Sequence, residues 1–220
     1  MTDKIVWIGR AAIAVLLAMV AITYVSGVSQ ETFEIVREPS VYAADLVAHA
    51  APLRALFGID TAFLVLYATL LVLVAVRFTT PENRALATIA IGAVLATALL
   101  DMVEDHHILA MLRGAECGIT PSAGQVEVQH AISQVKFNLG YFAEFLIGLS
   151  IPRKTLHGKV LAVLLTAGTL VQGAWLYAAP DRLLVLGNYG RWLGFVVGFA
   201  LIIRLVRHPG GGAAETSAPA

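Results

Sequence analysis

Apolar residues fill most of this chain in runs of about twenty, and short polar segments separate the runs. Six of these runs are long enough to cross a hydrocarbon core of roughly 30 Å. They lie near residues 5–26, 57–78, 84–107, 130–151, 159–178 and 183–206. The pattern predicts an all-α fold, a polytopic transmembrane helical bundle of six spans that forms one domain over residues 1–207.

The breaks between the runs carry the residues that stop and start helices. The segments "TTPEN" (79–83), "IPRK" (151–154) and "AAPDR" (178–182) each place a proline between two apolar runs. Proline lacks the backbone donor that a helix interior needs, so it is typical of such boundaries. The small-residue segment that ends the chain predicts a disordered cytoplasmic tail over 208–220.

The basic residues predict the orientation of the six spans. One side of the predicted bundle collects most of them: Lys4, Arg10, Arg77, Arg84, Arg153, Lys154, Lys159, Arg204 and Arg207. Because cytoplasmic loops of membrane proteins are enriched in Lys and Arg, this bias predicts that both termini are cytoplasmic. We expect a multi-pass protein of a bacterial inner membrane.

The first loop on the opposite side, residues 27–56, is too long to be a simple turn. Apolar residues recur in and just after it at helical spacing: Tyr42, Leu46, Ala50, Leu53 and Phe57. This spacing predicts an amphipathic helix that lies along the membrane surface.

Composition supports the membrane class and excludes several others. Hydrophobic residues make up 58% of the 220 residues and charged residues 14%, with a mean hydropathy of +0.79. A soluble domain carries roughly 25% charged residues, so the expected surroundings are a lipid bilayer. The net charge of zero gives no indication of nucleic-acid binding. Cys117 is the single cysteine, which excludes an intramolecular disulfide and a thiolate metal cage.

Ionisable residues inside an apolar span are costly and usually face the bundle interior. In the third span, "LLDMVEDHHILAML" (99–112), helical geometry places Asp101, Glu104 and Asp105 on one inward sector, with His106 and His107 on its flanks. The fourth span carries a polar stripe on which Glu144 lies deepest. Lys136 falls outside that stripe and is expected to extend towards water. Asp101, Glu104 and Glu144 are the candidate catalytic or titrating residues.

Depth along the spans suggests partners for these acids. Glu144 of the fourth span lies at roughly the same depth in the membrane as Arg10 of the first span. Arg191 of the sixth span lies at roughly the same depth as Asp101 of the third. We therefore expect two structural ion pairs, Arg10 with Glu144 and Arg191 with Asp101 or Glu104.

Three histidines predict a metal site at the same level of the membrane. His107, His130 and His49 could act as neutral ligands, with Asp101 or Glu104 completing the set. Zinc or iron would suit such ligands. Haem fits less well, because no second, deeper histidine pair exists for electron transfer across the membrane.

Three classes of function follow from these residues. The favoured one is a membrane-embedded enzyme, with or without the histidine metal site, that acts on a small-molecule or lipid-like ligand. The second is a small proton-coupled transporter or channel with Glu144 as the titrating group, which would need to form a homo-oligomer if six spans are too few. The third is a b-type haem or quinone-linked redox subunit. A fourth alternative is that the charges only hold the bundle together.

Overall fold

The computed structural model describes residues 1–178 and 181–208. Nearly all of the tail predicted over 208–220 lies outside the described residues. The described chain is helical, with no strand, and the all-α prediction is confirmed.

Eight α-helices follow one another in the part of the chain that the structure describes. They are α1 (Thr2–Ser26), α2 (Pro39–Ala48), α3 (Ala50–Arg77), α4 (Arg84–Glu116), α5 (Ala123–Ser150), α6 (Leu156–Val163), α7 (Thr169–Ala178) and α8 (Asp181–Arg207). A 3₁₀ turn, Gln30–Phe33, lies between α1 and α2, and a π-helical turn, Leu164–Gly168, joins α6 to α7.

Five stretches among the described residues are long and apolar enough to cross a membrane. They are Thr2–Ser26, Ala50–Arg77, Arg84–Glu116, Leu156–Trp175 and Tyr189–Arg207. The predicted fourth span lies on α5, which has 28 residues but is too polar to belong to this group. The structure thus supports an integral membrane protein with five candidate spans.

Local chemistry explains where the site-bearing helices begin. Ser122 caps α5 by accepting a hydrogen bond from the Gln125 amide, and the Gln125 side chain accepts one from the Ser122 amide in return. The Glu38 carboxylate caps α2 through the Val41 amide at 2.9 Å, directly before Pro39. Each cap supplies a side-chain oxygen that accepts a hydrogen bond from a backbone N–H group left unpaired at the start of the helix.

The main hydrophobic core lies between the long helices, where α4 packs along α5 and α1 packs against α3 and α8. A smaller apolar cluster closes one end of the bundle. Its buried members include Phe33, Tyr42, Leu46, Phe57 and Ile108. We call this end the α2 end of the bundle.

The apolar face predicted for the first loop is therefore buried against protein. Tyr42 and Leu46 are fully buried, and α2 packs on α3 and α4. Leu53 and Phe57 belong to α3, which begins at Ala50, seven residues before the predicted span. The idea that α2 lies along the membrane surface stays a prediction, because this face already has protein neighbours.

Candidate functional site

Lys136 is the centre of a buried charge cluster between α4 and α5. The residue is only 6% exposed. Its ammonium group contacts the Glu104 carboxylate, lies 3.0 Å from Asp101 Oδ1 and lies 3.6 Å from Glu34 Oε1. One cation therefore holds three carboxylates that arrive from α4 and from the segment after the 3₁₀ turn.

Glu104 receives a second hydrogen bond from α5. The Ser133 hydroxyl donates to the Glu104 carboxylate, and both residues are buried, with 0% and 1% of their surface exposed. Ser133 does not line the cavity described below. A hydroxyl so buried, with a carboxylate acceptor of its own, serves to hold Glu104 rather than to attack a substrate.

Three aspartates form a tight group next to Lys136. One carboxylate oxygen each of Asp60, Asp101 and Asp105 lies within 4.8 Å of the other two. Tyr67 donates a hydrogen bond to Asp101 at 3.2 Å, and Gln30 donates one to Asp105 at 3.5 Å. Three negative charges at this separation repel one another strongly in a medium of low dielectric constant. The group is suited to holding a proton or a cation.

The segment that contains the 3₁₀ turn covers this cluster at the α2 end. Glu31 forms an ion pair with Arg191 of α8 at 3.2 Å, and His130 Nδ1 donates to the Glu34 carbonyl oxygen at 2.9 Å. The Tyr42 hydroxyl donates to the Phe33 carbonyl oxygen at 2.9 Å. Because burial raises the pKa of the Tyr42 hydroxyl, this donor keeps its proton at ordinary pH.

A cavity of about 120 Å³ lies beneath this segment. Five carboxyl and two basic side chains among the described residues line it: Glu31, Glu34, Asp60, Asp101 and Glu144, with Lys136 and Arg191. Aromatic rings form another part of the wall. The Phe63 ring centroid lies 5.4 Å from that of Tyr67 and 5.7 Å from that of Phe195. The cavity combines an acidic region with an aromatic one.

A second cavity, of about 350 Å³, lies between α5, the π-helical turn and α8. Leu164 and Leu165 of the turn contribute to its wall, and π turns occur often at functional sites. The residues that line both cavities are Leu71, Tyr141, Glu144, Arg191 and Phe195. The two cavities therefore adjoin where Glu144 lies.

The structure brings two of the three predicted acids together. Asp101 and Glu104 share Lys136, whereas Glu144 is separate from that cluster and lines both cavities. Among the side chains that the structure describes, Glu144 has no hydrogen-bond or ion-pair partner. Its predicted partner, Arg10, lies exposed on α1. The expected Arg10–Glu144 pair is not formed.

The second predicted ion pair, Arg191 with Asp101 or Glu104, is not formed either. Arg191 pairs with Glu31, and Lys136 takes the place beside Asp101 and Glu104 that was expected for Arg191. Depth along a helix axis, which suggested the pairing, does not determine which neighbouring helix faces a residue. The expectation that Lys136 extends towards water is wrong, because α4 packs along the face of α5 that carries it.

The three predicted metal-ligating histidines have separate hydrogen-bond partners. His49 Nδ1 lies 2.9 Å from the Asp45 carbonyl oxygen of its own helical turn, and His107 Nδ1 lies 2.8 Å from Gln129 Oε1. His130 contacts the Glu34 carbonyl instead. In the described part of the chain, the close group of three metal-type ligands consists of aspartates and includes no histidine. An all-oxygen set suits Mg²⁺, Ca²⁺ or Mn²⁺ better than the zinc or iron expected from the sequence.

Lys136, Glu31 and Glu34 belong to the site although they were absent from the predicted set. A signal for Lys136 existed, because it is a charged residue in the middle of an apolar run and two acids, Asp101 and Glu104, lie three apart on the preceding helix. No local signal existed for Glu31 and Glu34, which reach the cavity only through the path of the loop.

Comparison with models of known protein families, with curated proteins and with solved structures finds no match to this chain.

Glu34 is expected to make the covering segment sensitive to alkaline pH. Burial raises the pKa of the Glu34 carboxyl from 4.5 to about 8, and the Lys136 ammonium group opposes this rise. The folded segment therefore retains a proton that the opened segment releases. Its stabilising contribution is present below the ordinary pKa and is lost as pH rises through the folded value.

The measurement is amide hydrogen exchange of residues 29–38, corrected for intrinsic exchange rates, at about pH 6 and about pH 9. We expect weaker protection at the higher pH in the native chain and no such change in Glu34→Gln. Glu82→Gln, in the exposed α3–α4 loop, is the matched control. Equal pH dependence in the native chain and in Glu34→Gln would show that another group is responsible.

Proposed function

We propose that this chain is a small proton-coupled carrier whose buried carboxyl groups bind and release protons. The observation that carries this proposal is the excess of acidic over basic side chains around one cavity inside the helix bundle. Desolvated carboxylates without counter-ions are very costly. The two basic residues offset only part of this charge, so the remaining acids need protons or a bound cation.

The proposed topology has six spans, with α5 crossing the membrane as the fourth. Lys136, Tyr141 and Glu144 of this helix line the cavities, and Gln129 and Ser133 are buried, so these polar side chains would be shielded from lipid. Arg77 and Arg207 lie in the last turns of α3 and α8, at the end opposite to α2, and Arg84 begins α4 there. This distribution supports cytoplasmic termini, with the α2 end outside, and a bacterial inner membrane is the proposed location.

The enzyme hypothesis receives less support. A metal-dependent hydrolase of the expected kind needs the histidines to converge, and they contact different partners. No serine is among the described residues that line the two cavities, and Ser133 is fully buried against Glu104. Proton exchange needs only a carboxyl group without a permanent partner, and Glu144 at the cavity wall is such a group among the described side chains.

Infrared spectroscopy of the reconstituted chain tests the proposal. We expect a protonated carboxyl band near neutral pH that decreases as the pH is raised. Glu144→Gln is expected to remove a distinct component of this band, because Glu144 has no partner cation among the described residues. Glu127→Gln changes an exposed carboxyl on the same helix and should leave the band intact. A native spectrum in which every carboxyl is ionised at neutral pH would overturn the proposal.

A further inference from the structure

The volumes of the two adjoining cavities indicate the size of the ligand that they could bind. The smaller one has about the volume that accommodates a single aromatic ring, since a dry cavity of about 150 Å³ binds benzene. The larger one, about 350 Å³, falls within the range of small-molecule pockets, roughly 300–1,000 Å³. Both volumes exceed what a proton or a bare metal ion requires.

Glu144 is the group at the junction that is free to bind a ligand. The other carboxyl groups at the cavity wall have partners inside the protein. Glu31 pairs with Arg191, Glu34 and Asp101 contact Lys136, and Asp60 belongs to the aspartate group, with a carboxylate oxygen within 4.8 Å of one of Asp105. Glu144 has neither a hydrogen bond nor an ion pair with any side chain that the structure describes. A ligand that carries one positive charge would compensate the charge of this carboxylate.

Aromatic rings line the same cavities as Glu144. Phe195 lines both cavities and lies 5.7 Å from the Phe63 ring and 6.4 Å from the Tyr67 ring, measured between centroids. The face of an aromatic ring attracts an organic cation, and rings combined with a carboxylate are a recurrent way to bind quaternary ammonium groups. The rings also provide apolar surface that the uncharged part of an organic cation can contact.

The two basic residues at the wall do not oppose a cationic ligand strongly. Arg191 is neutralised by Glu31 and stacks over the Phe137 ring at 4.1 Å from its centroid. Lys136 is surrounded by three carboxylates. Their charges are thus compensated before any ligand enters.

We propose that the two cavities form one binding site for a monovalent organic cation with an apolar body, whose ammonium group pairs with Glu144 and whose body contacts the aromatic wall. This inference rests on the proposed function, because the same carboxyl would bind the proton and the substrate in turn. The apolar part of the ligand extends past Phe195 into the larger cavity, against the π-helical turn.

Calorimetric titration of the full chain in detergent tests the ligand class. The probe is benzyltrimethylammonium, which carries a fixed charge and one ring. Its carbon isostere, neopentylbenzene, has the same shape without the charge, and phenylacetate carries the opposite charge. We expect the cation to bind at least about tenfold more tightly than either comparison compound, since a buried ion pair adds to the aromatic contact.

Two variants separate the carboxylate from the aromatic wall. Glu144→Gln should weaken cation binding at least about tenfold, and Phe195→Leu should weaken it several-fold. Glu127→Gln should bind like the native chain, and a melting temperature for each variant excludes unfolding as the cause. Equal binding of cation and isostere, or native affinity in Glu144→Gln, would overturn the proposed ligand.

Failure of the proposed ligand class can be distinguished from failure of the proposed proton coupling. If no cation binds while the protonated carboxyl band is present and sensitive to Glu144→Gln, the ligand class is wrong and proton handling stands. If the cation binds through Glu144 but no carboxyl is protonated at neutral pH, the ligand class stands and proton coupling is wrong.

Discussion

Lys136→Met is expected to destabilise the protein by about 3–5 kcal/mol, the usual cost of removing one partner from a buried ion pair. The substitution preserves most of the side-chain volume but leaves Asp101, Glu104 and Glu34 without their cation. Loss of the Lys136 contacts should weaken the packing of α5 on α4, and repulsion between Glu34 and the two α4 acids should release the covering segment. The measurement is the free energy of unfolding, or the melting temperature, in the same detergent as the native chain.

A matched control and a rescue variant identify the cause of this loss. Lys159→Met removes an exposed lysine and should change stability by less than about 0.5 kcal/mol. The double variant Lys136→Met with Glu104→Gln should be more stable than Lys136→Met alone, because one uncompensated charge has been removed. If the double variant is the less stable of the two, loss of packing rather than loss of charge explains the effect.

Gly148→Val is expected to destabilise the contact between α5 and the π-helical turn, by about 1–3 kcal/mol. A Cβ atom at this position would lie 2.8 Å from Leu165 Cβ and 2.9 Å from Thr166 Cγ2. The Leu165 backbone carbon would be only 3.2 Å away. Because backbone atoms cannot turn aside, α5 and the π-helical turn would have to move apart, which would alter the wall of the larger cavity.

The control for this substitution is Gly92→Val on α4, where a Cβ atom meets nothing within 4 Å. Both changes replace a helical glycine by the same β-branched residue, so their effects on helix propensity are alike. We expect a lower melting temperature and weaker cation binding in Gly148→Val only. Equal stability of the two variants would show that α5 and the turn can separate without loss.

Helical class and membrane character follow from the sequence because they depend on local properties. The length of an apolar run and the residues that interrupt it set where a helix can exist, whatever its neighbours are. The predicted ends of the helices are wrong where tertiary contacts, rather than the local sequence, determine where a helix begins. Thus α3 begins at Ala50, because Leu53 pairs with the apolar cluster of the α2 end and extends the helix beyond the apolar run.

The composition of the site could be predicted only in part. Asp101 and Glu104 stand out because acids are rare inside an apolar helix, and helical spacing places them on one face. Their partner was assigned to the wrong residue. Arg191 and Lys136 carry the same charge, and the choice between them depends on how α5 and α8 are rotated and placed around α4, which spacing along one helix does not specify.

The sequence by itself determined that this is an all-helical membrane protein with costly acids in its interior, because hydropathy and helical period are properties of neighbouring residues. The tertiary structure alone decided that Lys136 neutralises those acids, that Glu31 and Glu34 return from a loop to the cavity, and that Glu144 remains without a partner among the described residues. The physical reason is that these contacts join residues from 32 to 160 positions apart, and their pairing depends on the packing of whole helices.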